Sequence, residues 1–159
     1  WQQYQIKIFG KTLDQPRLTA YHGVDHPYYA YSNIKLRPIP FTPILLSIKS
    51  KIETLAGHQF NGVLLNYYRN GDDSMGWHAD DEPELGPEPC IASVSFGADR
   101  RFGFRHRYNK ELKNKYITLQ HGSLLLMQGA TQHNWQHGLP KTTKTGGIRI
   151  NLTFRNIVS

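Results

Sequence analysis

Three stretches of the chain carry residues that do chemistry at spacings that can bring them together. In Met75-Gly76-Trp77-His78-Ala79-Asp80-Asp81, His78 and Asp80 form an H-x-D pair. Residues two apart on extended backbone point to the same face, so both can bind one ion. One further imidazole would complete a two-histidine, one-carboxylate set that holds a metal and leaves coordination positions open. The chain has 8 histidines, so a lone H-x-D match is weak. His58 ends a helical segment, His106 sits in the basic run Arg105-His106-Arg107 and is expected to face solvent, and His121 lies in a turn. His133 and His137 flank Trp135 and are four apart. On one strand they would share a face, so spacing does not separate these two rivals.

The second stretch is Ile148-Arg149-Ile150-Asn151-Leu152-Thr153-Phe154-Arg155. Alternation puts Ile148, Ile150, Leu152 and Phe154 on one face and Arg149, Asn151, Thr153 and Arg155 on the other. The plain reading is a strand with a solvated polar face. The chemical reading is a polar cavity wall whose two guanidinium forks suit a dicarboxylate. The third stretch, Val63–Tyr68, puts Asn66 and Tyr68 on one face, where both could hydrogen-bond one ligand or simply pack across strands. An H-x-D pair, a histidine 57 positions on (137 − 80) and then Arg-x5-Arg form an ordered set that independent strands would rarely produce.

These residues need elements to hold them. The chain has 159 residues, about one domain's worth, and a net charge of 19 − 12 = +7. Its 38% hydrophobic and 12% aromatic content exclude a disordered chain. No apolar run approaches the ~18 residues of a membrane span. One cysteine, Cys90, excludes an intrachain disulfide and points to a reducing compartment. No signal peptide is visible. The excess of basic residues suits a polyanion, although a basic balance alone is a weak argument.

Residues 1–40 read as short strands and turns, with Gly10 at a turn. Residues 41–57 read as the one clear helix: Thr42 as cap, Pro43 first, Ile44, Ile48, Ile52 and Leu55 as the apolar stripe widened by Leu45, and Gly57 as C-cap. From residue 60 the pattern predicts strands at Val63–Tyr68, Ile91–Phe96, Arg101–His106, Tyr116–Leu119, Ser123–Met127, Asn134–His137 and Ile148–Phe154. Many short strands with regular turns indicate a sandwich or barrel. The class is β-rich α+β.

The same residues resemble the AlkB family of Fe(II)/2-oxoglutarate dioxygenases, in particular the branch of the human DNA-repair homologues two and three. The resemblance runs over 60–157 through Asn66-Tyr67-Tyr68, His78-Ala79-Asp80-Asp81-Glu82, Ile91–Gly97, His121–Leu125, His137-Gly138-Leu139-Pro140 and Arg149–Arg155, and more weakly through Phe9-Gly10-Lys11 and Pro16-Arg17. It implies a double-stranded β-helix, the jelly-roll form of the sandwich, in a single dioxygenase domain over 1–159. Residues 1–40 would be a nucleotide-recognition region, 41–57 a helix packed on the sheet, and 60–157 the catalytic core.

The resemblance further implies His78, Asp80 and His137 as iron ligands, choosing His137 because the family's third histidine precedes a small residue, Leu and Pro. It maps Asn66, Tyr68, Arg149, Thr153 and Arg155 onto the 2-oxoglutarate site, with Arg149 on the distal carboxylate and Arg155 nearer the iron. The implied reaction consumes 2-oxoglutarate and O2, yields succinate and CO2, and hydroxylates an N-alkyl group such as that of N1-methyladenine or N3-methylcytosine, which then releases formaldehyde. Damaged bases must leave the stack to be reached. Phe9, in Ile8-Phe9-Gly10-Lys11, resembles the wedge that fills the gap, although a core Phe is the alternative. In Tyr29-Ala30-Tyr31, Tyr31 matches an aromatic position where Phe is usual. Asp81 matches an acidic residue that contacts the substrate.

The partner implied is alkylated DNA, single- or double-stranded, with RNA or a protein side chain as alternatives and a vestigial nucleic-acid-binding module as the non-enzymatic one. A monomer is expected, in bacterial cytoplasm or eukaryotic nucleus. Arg149 and Arg155 then belong to a buried site. The basic run Arg100–Lys115, with Lys11, Arg17, Lys141 and Lys144, is left as the expected phosphate-facing surface.

Overall fold

The computed structural model describes residues 1–8, 10–24, 29–31, 34–144 and 147–158; for residues 7, 8, 29–31 and 34–36 only the backbone is described. Thirteen strands and three short-to-medium helical segments are found among them. The strands are β1 (Gln5–Ile8), β2 (Lys11–Asp14), β3 (Leu18–Gly23), β4 (Tyr29–Tyr31), β5 (Ile34–Leu36), β6 (Gly62–Tyr68), β7 (Met75–His78), β8 (Ile91–Gly97), β9 (Arg100–His106), β10 (Lys115–Leu119), β11 (Leu124–Met127), β12 (Trp135–Leu139) and β13 (Arg149–Arg155). Helix α1 spans Pro43–Ala56, α2 spans Thr131–Asn134, and a 3-10 turn covers Pro83–Leu85.

Two antiparallel sheets carry the fold, in the order β11-β8-β13-β6-β3 and β10-β9-β12-β7. Their facing sides share one apolar cluster that includes Leu64, Tyr68 and Ile91 from the first sheet and Phe102, Leu119 and Leu139 from the second. This is the expected β-rich sandwich. Two hairpins, β1–β2 and β4–β5, stand outside it in the N-terminal region. Among the described residues no helix is long and apolar enough to cross a membrane.

Helix α1 begins and ends where its caps predict. Thr42 Oγ1 accepts the Leu45 N–H, Pro43 occupies the first turn, and Gly57 takes a left-handed φ of 66° while its N–H bonds the Glu53 carbonyl. Its buried stripe differs from the predicted one. Leu45 and Ile52 are buried, with Ile48 and Ala56 packed beside them, whereas Ile44 and Leu55 are 73% and 68% exposed. At about 100° per residue, Ile44 and Leu55 sit at one rim of the apolar arc and Leu45 and Ile52 near its centre. The helix turns that centre onto Phe60, Val63, Ala92, Val94, Leu152 and Phe154, on the outer side of the five-stranded sheet.

Strand ends agree with the predicted spans to within a residue or two, with two exceptions. Asn134 belongs to helix α2 rather than to a strand, and β7 was not predicted as a strand. The largest consequence concerns β13. It lies at the centre of its sheet, between β8 and β6, with helix α1 packed on one face and the second sheet facing the other. Leu152 and Phe154 meet the helix side. Arg149, Asn151, Thr153 and Arg155 are all buried between the sheets. The solvated-face reading of this strand therefore fails.

Candidate active site

The two sheets bring the H-x-D pair and one histidine together. β7 pairs with β12 so that His78 and His137 stand directly opposite, with ring centroids 4.3 Å apart. Asp80, two residues beyond, is fully buried, and its Oδ1 is 3.7 Å from His78 Nε2. One ligand atom from each of His78, Asp80 and His137 lies within 4.8 Å of the others. His133 is on α2 and exposed. The helix removes it from the strand register that would have made it equivalent to His137.

The surroundings prepare these donors. His78 Nδ1 is 2.9 Å from the Gly76 carbonyl oxygen, which can only accept. The proton therefore sits on Nδ1, and Nε2 keeps its lone pair for a cation. Burial pushes the His137 imidazole down to about 3, with His78 nearby adding to the effect. Burial likewise lowers His78, so both rings are neutral near pH 7, as metal ligation requires. Phe102 stacks on His137 at 5.5 Å. Burial raises the Asp80 carboxyl, but the Arg155 charge and hydrogen bond bring it below the usual carboxylate range.

Each Asp80 oxygen has a separate role. Arg155 Nη2 donates to Oδ2 at 2.8 Å, while Oδ1 has no hydrogen-bond partner among the described residues. A buried carboxylate oxygen without a donor is costly, and a divalent cation between Oδ1 and the two imidazoles would satisfy it. The donor set fits iron(II). Sequence reasoning missed Gln132, which is fully buried and accepts the Asp80 backbone N–H through Oε1 at 2.9 Å. Its own carbonyl accepts from Arg107 Nη1 at 2.8 Å. Glu82 was also missed; burial, and then the Asp80 charge, raise its carboxyl to about 7.

A narrow cavity of about 20 Å³ runs from this group along the polar face of β13. Its lining includes Tyr68, Arg149, Thr153 and Arg155, four of the five residues assigned to the cosubstrate, and also Asn151 and Ser93. Arg149 pairs across the sheet with Tyr68, and its guanidinium carbon is 5.2 Å from the Tyr68 ring centroid. Arg149 Nη2 donates to Ser95 Oγ at 3.0 Å. Asn151 donates to Ser93 Oγ at 2.7 Å and accepts from Thr153 Oγ1 at 2.9 Å. The alternation Ile91-Ala92-Ser93-Val94-Ser95 could have signalled these serines, since they share a face and pair with Thr153 and Asn151. Asn66 is the exception: it is buried beside the cavity, and Arg17 Nε donates to its Oδ1 at 2.8 Å.

The residues assigned to the substrate are less gathered. Gly10 is exposed at φ 77° in the β1–β2 hairpin, and Lys11 is exposed at the start of β2. Phe9 and the side chains of Tyr29 and Tyr31 lie outside the described residues. Asp81 is at the surface, bound by Arg107 Nη1 at 2.6 Å. Two members of the expected phosphate-facing surface are not on the surface. Arg100 is 2% exposed and Arg17 5% exposed, because each spends its donors on buried acceptors. His106 is half-buried rather than solvent-facing, and its Nδ1 accepts the N–H groups of Tyr108 and Asn109.

Comparison with known proteins places this arrangement. The chain is 49% identical over 154 residues to the Alpha-ketoglutarate-dependent dioxygenase alkB homolog 3 of Bos taurus, covering 92% of this chain and 53% of that protein. Its human counterpart is 48% identical over the same shares. The DNA oxidative demethylase ALKBH2 of Homo sapiens is 41% identical over 160 residues, covering 97% of this chain and 61% of that one. The chain thus spans between half and two thirds of the length of these relatives. The solved structure of OsALKBH1 superposes with a TM-score of 0.59 at 21% identity, covering 76% of this chain and 66% of that one, which supports the jelly-roll fold. The model of the 2OG-Fe(II) oxygenase superfamily matches residues 1–155, and the chain belongs to that family.

Proposed function

We propose that the chain is an AlkB-type oxidative demethylase that removes N-alkyl groups, such as those of N1-methyladenine and N3-methylcytosine, from alkylated DNA. The observation that carries this reading is one buried cavity holding both a two-histidine, one-carboxylate group and, along the same strand face, Arg149 and Arg155. His78, Asp80 and His137 would hold Fe(II). Tyr68, Arg149 and Thr153 would hold 2-oxoglutarate, with Asn66 supporting from behind.

Bound Fe(II), with 2-oxoglutarate and O2, supplies the oxidising power that hydroxylates the N-alkyl carbon. The resulting hemiaminal loses formaldehyde and restores the base. The chain's own residues do the positioning. The neutral imidazoles present lone pairs, Arg155 fixes the direction of Asp80, and the Arg149 fork at the far end orients a dicarboxylate. The buried walls would keep bulk water away from the cosubstrate.

In this reading residues 60–157 are the catalytic core, 41–57 its supporting helix and 1–40 the nucleotide-recognition region, where Phe9, Gly10, Lys11, Tyr29 and Tyr31 contact the substrate with Asp81. Arg101, Lys110, Lys113, Lys115, Lys141 and Lys144, all exposed, would face phosphates. The names of the ALKBH2 and alkB homolog 3 relatives support this class of reaction. The test is incubation with Fe(II), 2-oxoglutarate and methylated oligonucleotides. Succinate and formaldehyde should form with the wild type and not with His78→Ala. No product from the wild type on any nucleic acid refutes the reading, and equal or faster turnover on RNA refutes the preference for DNA. Phe9→Ala should weaken repair of duplex more than of single strands; equal losses would remove the wedge assignment.

A further inference from the structure

One of the arginines expected on the surface is among the most buried side chains of the described residues. Arg100, the first residue of β9, is 2% exposed. Its guanidinium donates to three backbone carbonyls: Asn70 at 3.1 Å, Asp73 at 2.9 Å and Pro140 at 2.8 Å. The first two lie in the turn after β6, the third in the connection between β12 and β13. These two connections also bond each other, Thr142 N–H to the Gly71 carbonyl at 2.9 Å. They meet so closely that a side chain on Gly71 would come within 1.9 Å of the Thr142 oxygen.

This junction lies at the end of the cavity away from the metal group. Tyr68 ends β6, Arg149 begins β13, and the two are paired. The Arg100 guanidinium carbon is 5.8 Å from the Tyr68 ring centroid, and that of Arg149 is 5.2 Å. Two buried cations thus flank one tyrosine ring. The Asp73 carboxylate, the acidic side chain whose charge acts on Arg100, is bound by both arms of Arg69. Arg100 donates to neutral backbone carbonyls, and Arg149 to the neutral Ser95 hydroxyl and to Tyr68. Buried charge whose counter-ion is shared or absent is costly. An anion arriving at Arg149 relieves that cost for both arginines at once, although only Arg149 faces the cavity.

We infer that Arg100 is a positioning and specificity residue for the distal carboxylate of the cosubstrate, holding the Tyr68–Arg149 corner closed and adding a second positive charge behind it. It touches neither the cosubstrate nor the metal. Its fork fixes the two connections that frame the corner, and its charge favours a dicarboxylate over a 2-oxo acid with one carboxylate. The inference rests on the reading of this cavity as the 2-oxoglutarate site.

The test is calorimetric binding of 2-oxoglutarate and of 2-oxopentanoate, which has the same chain without the distal carboxylate, to anaerobic Fe(II)-loaded protein. For Arg100→Met, the loss of one unit charge behind the Tyr68–Arg149 corner should weaken 2-oxoglutarate by about tenfold or more and leave 2-oxopentanoate within about threefold. In turnover the change should fall on KM for 2-oxoglutarate rather than on kcat. Arg100→Lys keeps the charge but not the fork, so it should recover most of the discrimination between the two acids; it also serves if the Met variant does not fold. Equal weakening of both acids or unchanged 2-oxoglutarate affinity in folded Arg100→Met, or loss of the discrimination in folded Arg100→Lys, overturns the inference. Failure of the wild type to bind 2-oxoglutarate refutes instead the assignment of the cavity.

Discussion

Replacing Arg155 by Met should destabilise the metal-free protein, and adding a divalent metal should restore part of the loss. Arg155 Nη2 and Asp80 Oδ2 are 2.8 Å apart, and the two side chains are 4% and 0% exposed. At that distance and an effective dielectric constant of about 20, the attraction is about 6 kcal/mol. Part of it is offset because methionine no longer has to bury a guanidinium. Breaking a buried pair on one side leaves a net loss of about 3–5 kcal/mol. The pH dependence has a defined sign. In the wild type the Asp80 carboxyl is lowered, so its contribution is present above the unfolded carboxylate value of about 3.9 and is lost as pH falls through the folded one. In Arg155→Met burial acts with less opposition, the carboxyl moves upward, and protonation relieves the strain. The deficit of the variant should therefore be largest near pH 7 and shrink toward pH 4. A cation beside Oδ1 would do the same work at neutral pH. Urea unfolding at several pH values, with and without saturating Mn(II), measures all three effects. A loss under about 1 kcal/mol at pH 7, or a loss unchanged by metal, would refute the reasoning.

Two further substitutions test other parts of the structure. Gln132→Met leaves the Asp80 N–H without an acceptor and should cost about 1–3 kcal/mol in stability while weakening divalent-metal affinity, read by unfolding and metal titration together; unaltered metal affinity would remove Gln132 from the site. Leu45→Ala should cost about 2–5 kcal/mol and Leu55→Ala less than about 0.5 kcal/mol in chemical denaturation, because the first is 6% and the second 68% exposed; similar costs for both would contradict the observed helix face.

Some of this was legible in the chain itself. The period-two pattern of β13 sorted Arg149, Asn151, Thr153 and Arg155 from their apolar neighbours, because strand geometry imposes that sorting locally. The caps of α1 were equally plain, since Thr42 and Gly57 act on hydrogen bonds within their own turn. H-x-D marked His78 and Asp80 for the same reason: two residues on one extended segment need nothing distant to share a face.

What the local pattern left open depended on neighbours far along the chain. Whether the polar face of β13 meets water or a cavity depends on what is packed across from it, and the second sheet, carrying His78 and His137, buries it. His133 and His137 are alike in spacing; only the pairing of β12 with β7 puts one opposite His78 while helix α2 carries the other outward. Arg100 stands beside Arg101 in a basic run, yet the turn after β6 and the connection after β12 close over the first and leave the second exposed. Residue type and period determined which side chains could hold a metal and a dicarboxylate. Long-range strand pairing decided which of them meet, because charge, hydrogen bonding and burial act between neighbours in space and not between neighbours in sequence.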